Sequence, residues 1–469
     1  MMSLLIQREF FQLTPIEAHY EVLPLHSLNL REEYRGIYLG SALVGFNFTV
    51  LETAEDTEDK AAYELRHQTY MSFLFLGNER EMLVKGKARL DAQLNLKSLE
   101  VRVSSGDYWT LFSGQIANHN LNLVIEGKEG SPVRKIIPVT EAVFFSEALN
   151  FIWTPENLKI GKRGRIHVWN PLLMNFENMN FHVSGKESIS VEGEEVEVFR
   201  VTAEQSGIES RLWINPEGIV LRQESPTGLV IEKEEAWKIF DRMRNNRTKL
   251  PDLPNLFSIA SNQKIDRPEK LTNLKVKLTH GNVNRILNIS KPALEPFELL
   301  PYPLPGDLVP SGDYLAATPW IQSREPEIVQ TAAGITQSAQ SAVNAVQFLM
   351  EWVHRHVSPL PTMGIPSAME VLHSKKGDCN EYTALFTALS RAAGIPTKMI
   401  GGLVYQDGRF FYHAWSEVYL GTWIPVDPTF AQFPADATHI PVVEGDIEEQ
   451  VNLVKIMGQI KLAVLDFHE

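Results

Sequence analysis

The sequence predicts an α+β protein, with a mostly antiparallel β domain first and then a unit in which a helix precedes a β-hairpin. Apolar residues recur with period two from about Tyr34 to Lys238, which is the strand signal. They recur with helical spacing between Glu327 and His356, and again from Asn380 to Ala393. The run Phe411–Leu420, rich in aromatic residues, then returns to strand.

In chain order, the clearest alternation sets Ala88, Leu90, Ala92, Leu94 and Leu96 against Arg89, Asp91, Gln93, Asn95 and Lys97. Its phase shifts after Ser98, and Leu121, Leu123 and Ile125 repeat the pattern further on. Strands with one wet face favour an antiparallel sheet. Asn215–Gly218 and Pro226–Gly228 carry turn chemistry, and a short helix is expected around Glu234–Met243. From Asp241 to Lys270 the texture changes. Arg242, Arg244 and Arg247 lead into Pro251, Pro254 and Pro268 with few periodic apolar residues, which reads as a linker. Leu274, Val276 and Leu278 form a further β-like piece, and Pro301–Gly306 cannot be helix. The helical region that follows is expected to break near Gly334, with Val343, Val346, Met350 and Val353 as its core stripe. The expected organisation is a β-rich domain over 1–240, a linker over 241–270 and a second domain over 271–469.

Composition narrows the function. The chain has 469 residues and a formal charge of −14, which argues against nucleic acid and anionic membrane surfaces as partners. It contains no run of about 18 apolar residues, the length needed to cross a bilayer. Leu4-Leu5-Ile6 is too short for a signal-peptide core. There is a single cysteine, Cys379, so neither an internal disulfide nor a multi-cysteine zinc site is available. Oligomeric state is not legible.

The surroundings of Cys379 give it a role. Asp378 is a plausible N-cap and Gly394-Ile395-Pro396 a stop signal, so Cys379 sits in the first turn of a helix. There the positive end of the helix favours thiolate over thiol, and the N–H of Cys379 can serve an oxyanion. A hairpin turning near Leu420–Thr422 can pair His413 directly with Asp427 on one face, close enough for a carboxylate to hold an imidazole N–H. Nucleophile on a helix start, base on a strand and acid on the adjacent strand make a Cys-His-Asp arrangement for acyl transfer. Tyr412, Trp415 and Gly402 are candidate substrate contacts near the same cleft. His354, His356 and His373 do not make a metal site, because helical residues two apart point different ways.

Gly377-Asp378-Cys379-Asn380-Glu381-Tyr382, Ala392-Ala393-Gly394-Ile395-Pro396, Tyr412-His413-Ala414-Trp415-Ser416-Glu417-Val418 and Trp423-Ile424-Pro425-Val426-Asp427-Pro428-Thr429 resemble the bacterial transglutaminase-like family. Ser367-Ala368 to Leu372 is similar to the family's approach to its cysteine helix, so the motif core spans about 365–430. The β-rich first part, with Gly36–Gly40 and Trp213–Gly218, resembles an accessory domain of some members. The resemblance implies a papain-like α+β core, with Cys379 as nucleophile, His413 as general base and acid, and Asp427 as orienting carboxylate. It implies a peptide or protein amide as substrate, a thioester intermediate and no cofactor. Hydrolysis is the favoured outcome, with glutamine–lysine crosslinking, small-molecule amide hydrolysis and a non-catalytic binding scaffold as alternatives. No motif identifies a second oxyanion donor; Trp320 and Gln347 are the polar-capable candidates upstream. The family's exported members make a periplasmic or extracellular setting an implication of the resemblance alone.

Overall fold

The computed structural model describes residues 31–54, 61–75, 77–170, 175–205, 207–245, 250–360 and 367–469. Leu4-Leu5-Ile6, Arg247 and the first two residues of the motif core therefore lie outside the described residues. Strands and helices are segregated along the chain, which makes the fold α+β. Two compact units form, one within Leu13–Glu126 and Pro132–Leu253, the other within Gly127–Ser131 and Pro254–Glu469.

The first unit is built on a 15-stranded sheet. From Val133–Pro138 its order runs back through the chain to Arg31–Leu39, crosses to Leu229–Lys233, and then runs back again to Phe144–Phe145. The period-two pattern is realised as alternating burial; in Asn120–Gly127 the residues Leu121, Leu123 and Ile125 point inward. One expectation fails in an instructive way. The alternation over 88–96 is not one strand but the end of Asn78–Leu90, a tight turn, and the start of Leu96–Ser105. Asp91 makes the turn: its Oδ1 accepts from the backbone N–H of Gln93 and of Asn95, both at 2.9 Å. Leu94 then adopts a left-handed backbone, φ 63°, which tucks its side chain into the core and keeps the apolar rhythm across the bend. The helix expected near 234–243 spans Ala236–Asn245 and buries Ile239.

In the second unit, four helices between Pro326 and Ala392 precede most of a sheet. Helix α1 is Pro326–Thr336, α2 Ala342–His356, α3 Ala368–Ser374 and α4 Cys379–Ala392. The break expected near Gly334 comes just after it: α1 ends at Thr336, and Ser341, whose hydroxyl accepts from Asn344 N–H, starts α2. Then come β1 (Thr397–Gln406), β2 (Arg409–Tyr419), β3 (Trp423–Val426), β4 (Ile440–Glu444) and helix α5 (Ile447–Ile456). β2 is central, with β1 on one side; on the other lie Ile259–Ala260 at its start and β3 at its end. The stretch read as a linker thus supplies a short strand to this sheet. β4 extends the sheet beyond β1.

Helix α4 is the hub. Its body from Glu381 to Arg391 is buried throughout, packed against the Val343, Val346, Met350 and Val353 stripe of α2 and against Val418, Ile424 and Val426 of the sheet. Phe386 is fully buried at the centre of this cluster. Phe386→Ala leaves a cavity that neighbouring elements cannot close, and a loss of about 3–5 kcal/mol is expected in denaturant unfolding. A loss below about 1 kcal/mol would show that α4 is not held this way.

Candidate active site

The local sequence fixes the start of α4 residue by residue. Asp378 is the N-cap: its Oδ1 accepts from Asn380 N–H at 2.9 Å, and Glu381 Oε2 returns to accept from Asp378 N–H at 2.8 Å, completing a capping box. Gly377 is required beneath it, because a Cβ there would stand 2.1 Å from Glu381 Cβ. Cys379 becomes the first helical residue, half-buried, and its N–H has no carbonyl one turn back to bond. The Ala414 N–H of β2 meets its sulfur.

The thiol's acidity departs from expectation. Burial pushes the Cys379 thiol well above its ordinary value, and the charge of Asp378 adds to this; Ala414 N–H acts the other way, while Glu381 and Asp427 raise it further. The carboxylates that cap the helix thus oppose its positive end. Burial and these charges together act against the thiolate that the helix start favours.

His413 on β2 and Asp427 just beyond β3 are brought together: imidazole Nε2 lies 2.7 Å from Asp427 Oδ2. The register behind this contact is not the direct pairing expected. Tyr419 pairs with Trp423 and Ser416 with Val426, which places Asp427 two residues short of the position opposite His413. A two-residue shift keeps side chains on the same face, so the contact is made diagonally. Asp427 Oδ1 accepts from Thr429 N–H at 2.7 Å and Phe430 N–H at 3.2 Å. Phe430 stacks on His413 with centroids 4.9 Å apart and an interplanar angle of 15°. It is 39% exposed and forms the outer cover of the ring.

The same carboxylate has a second partner that the sequence reading missed. His439 Nε2 lies 3.0 Å from Asp427 Oδ2, and its Nδ1 lies 3.1 Å from the Asp436 carbonyl and 3.3 Å from Asp436 Oδ1. The signal was the spacing Asp436-Ala437-Thr438-His439, two titratable residues three apart just past the last motif. Burial works against charge on His439, but hydrogen bonds and charges from Asp427 and Asp436 outweigh it and push its pKa up to about 9. Burial likewise opposes ionisation of Asp427, and the two histidines overcome it, holding that carboxyl far below the usual range. Asp436 is lowered too, against burial, by His439 and Thr438.

His413, Asp427 and His439 place three ligand-type atoms within 4.8 Å of one another. They fit a metal poorly. Ligands of one tetrahedral zinc sit about 3.3 Å apart, whereas Asp427 Oδ2 stands 2.7 Å and 3.0 Å from its two nitrogens, at hydrogen-bond distance.

The other expected site residues sit behind this chain. Trp415 is 1% exposed and its ring lies 5.2 Å from that of His439. Gly402 is buried where β4 approaches; a Cβ would stand 2.1 Å from the Ile440 carbonyl. Tyr412 is tied to the end of α5, its hydroxyl accepting from Gly458 N–H at 3.2 Å, and burial pushes its pKa up to about 12. Gln347 donates to Glu351 Oε1 at 3.2 Å on the exposed side of α2, and Trp320 is buried. His354 lies 3.1 Å from the Pro428 carbonyl, bracing the loop that carries Phe430; His356 stacks on Trp352; His373 pairs with Glu327 and Glu129.

Residues 329–428 match the family model described as the transglutaminase-like superfamily, so the chain carries a transglutaminase-like domain. It is similar to the kyphoscoliosis peptidase of Mus musculus, at 28% identity over 128 residues, which is 23% of this chain and 19% of that protein. The match thus spans about a fifth of the length of the curated relative. Among solved structures it resembles a candidate cysteine protease from Cytophaga hutchinsonii, with TM-score 0.31 and 13% identity over 66% of this chain and 80% of that one. It also resembles a β-barrel-like protein of a family of unknown function from Brucella abortus, with TM-score 0.30 and 7% identity over 44% and 98% of the two chains. At these TM-scores the likenesses transfer no role.

The paired charges set a pH window for stability. His439 is raised in the folded state, so its contribution is complete below about pH 6.5, the unfolded value, and is lost as pH rises through about 9. Asp427 and Asp436 are lowered, so theirs is present above about pH 4 and lost on acidification. Melting temperature against pH should therefore be highest between those limits. His439→Ala, which leaves two buried carboxylates without their shared cation, should cost about 3–5 kcal/mol and flatten the alkaline limb. An alkaline limb unchanged in that variant would refute the assignment.

Proposed function

We propose that this chain is a thiol-dependent acyl-transfer enzyme acting on amide bonds, and that its reaction is hydrolysis of peptide or protein amides. One observation carries the reading: the His413–Asp427 bond sits one residue from Ala414, whose amide N–H meets the Cys379 sulfur. With Nε2 committed to Asp427, Nδ1 is the ring nitrogen left to take the thiol proton. Burial raises the thiol, so proton transfer to His413 accompanies attack. The sulfur bonds to the carbonyl carbon and the oxygen becomes an oxyanion beside the Cys379 N–H. The C–N bond then breaks, the His413 imidazolium gives its proton to the departing amine, and a thioester remains. Water next loses a proton to His413 and attacks the thioester. The acid leaves, and the proton returns to the sulfur.

Hydrolysis rather than crosslinking is supported by the relative whose name describes a peptidase. In this reading the catalytic apparatus belongs to 271–469 and the β-rich part over 1–240 is accessory.

The test is a lysine-blocked protein substrate, offered with and without a primary-amine probe and read by mass spectrometry. Cleaved or deamidated products without probe incorporation are expected. Cys379→Ala and His413→Ala should each lower the rate by about 10³-fold or more. Cysteine-dependent incorporation of the probe would move the reading to crosslinking. No turnover of any substrate, with Cys379 equally reactive in wild type and His413→Ala, would overturn acyl transfer.

A further inference from the structure

We propose that His439 is a positioning residue of this site, a standing imidazolium that grips the same oxygen of Asp427 that His413 uses, holding the carboxylate in place and offsetting its negative charge beside the thiol. The inference rests on the acyl-transfer reading above.

Hydrogen-bond polarity requires the charge. Nε2 of His439 faces Asp427 Oδ2, and Nδ1 faces the carbonyl and Oδ1 of Asp436. All are acceptors, so both ring nitrogens must donate, and an imidazole that donates twice is a cation. The raised pKa of His439 agrees with this. Asp436 is itself fixed: Oδ1 accepts from Thr438 N–H at 2.8 Å and Thr438 Oγ1 at 2.6 Å, and Oδ2 accepts from Gln432 Nε2 at 2.9 Å. His439, Asp427 and Asp436 are all buried, so little water screens them.

The consequence falls on the charge balance of the site, where the ring centroid of His413 lies 5.9 Å from that of His439. The Asp427 charge is among those that raise the Cys379 thiol. A fixed cation on the same carboxylate oxygen cancels much of that effect. The charged groups that act on His439 are Asp427 beyond β3 and Asp436 on its own segment, and those that act on Cys379 are Asp378 and Glu381 at the start of α4 together with Asp427. Trp415 and Phe430 line the remainder without charge.

The test uses the full chain and the rate of Cys379 alkylation by iodoacetamide from pH ~5 to ~9, read by intact mass. His439→Gln keeps an N–H donor for Asp427 and removes the charge. With the cation gone, the rise in rate should move to higher pH by about half a unit or more. A folded variant whose profile superimposes on wild type overturns the proposal, since a purely structural role would alter amplitude or stability without moving the limb. His413→Ala run alongside separates the two readings: if it leaves the wild-type profile unchanged, acyl transfer fails on its own account. Histidine ¹⁵N NMR of the wild-type chain near neutral pH decides the charge without any variant. Two protonated nitrogens on His439 are expected, and one bare nitrogen overturns the proposal.

Discussion

A carboxylate with no exposed surface is the constraint around which the second unit is arranged. Asp427 accepts four hydrogen bonds, two from backbone N–H groups of its own loop and two from histidines on different segments. Burying an ionised carboxyl without such partners would cost several kcal/mol. Once Asp427 is placed, little remains free. β2 must present His413 on that face, the loop after β3 must curl back, and the segment before β4 must deliver His439. The backbone of Asp427 exchanges two hydrogen bonds with Gln432, which closes the curl.

The fold class was legible because its signals are local. Period-two burial in the first unit and helical stripes in the second are set by neighbouring residues, and both appear where the apolar residues put them. What local pattern misread was the bend at Asp91. A left-handed Leu94 continues the alternation through a turn, so periodicity alone reports a single strand there. The break between α1 and α2 was legible near Gly334, two residues before α1 ends, while the serine cap at Ser341 sets where α2 begins.

The site was legible in its residues and less so in its electrostatics. The capping box around Cys379 can be read directly from Gly377 to Glu381, and the shared face of His413 and Asp427 follows from parity even though the register differs by two. The thiol's acidity was misjudged because a helix dipole was weighed without the burial of the sulfur and the carboxylates that the cap itself brings. His439 was missed because, although Asp436 is near, the partner that ties it to the site is distant in sequence: Asp427 lies twelve positions back, across a loop no periodicity describes.

That loop has a consequence for how such a site can change over generations. Asp427 orients the peptide that carries Phe430, Phe430 covers His413, Gln432 steadies Asp436, and Asp436 steadies His439. Each residue is another's support, so replacements within 427–439 are not independent trials. Descent will tend to keep or lose the segment as a block. An engineer who copies Cys379, His413 and Asp427 into a new scaffold, without the loop between Asp427 and His439, transfers the reactive groups and leaves behind the part that tells them where to stand.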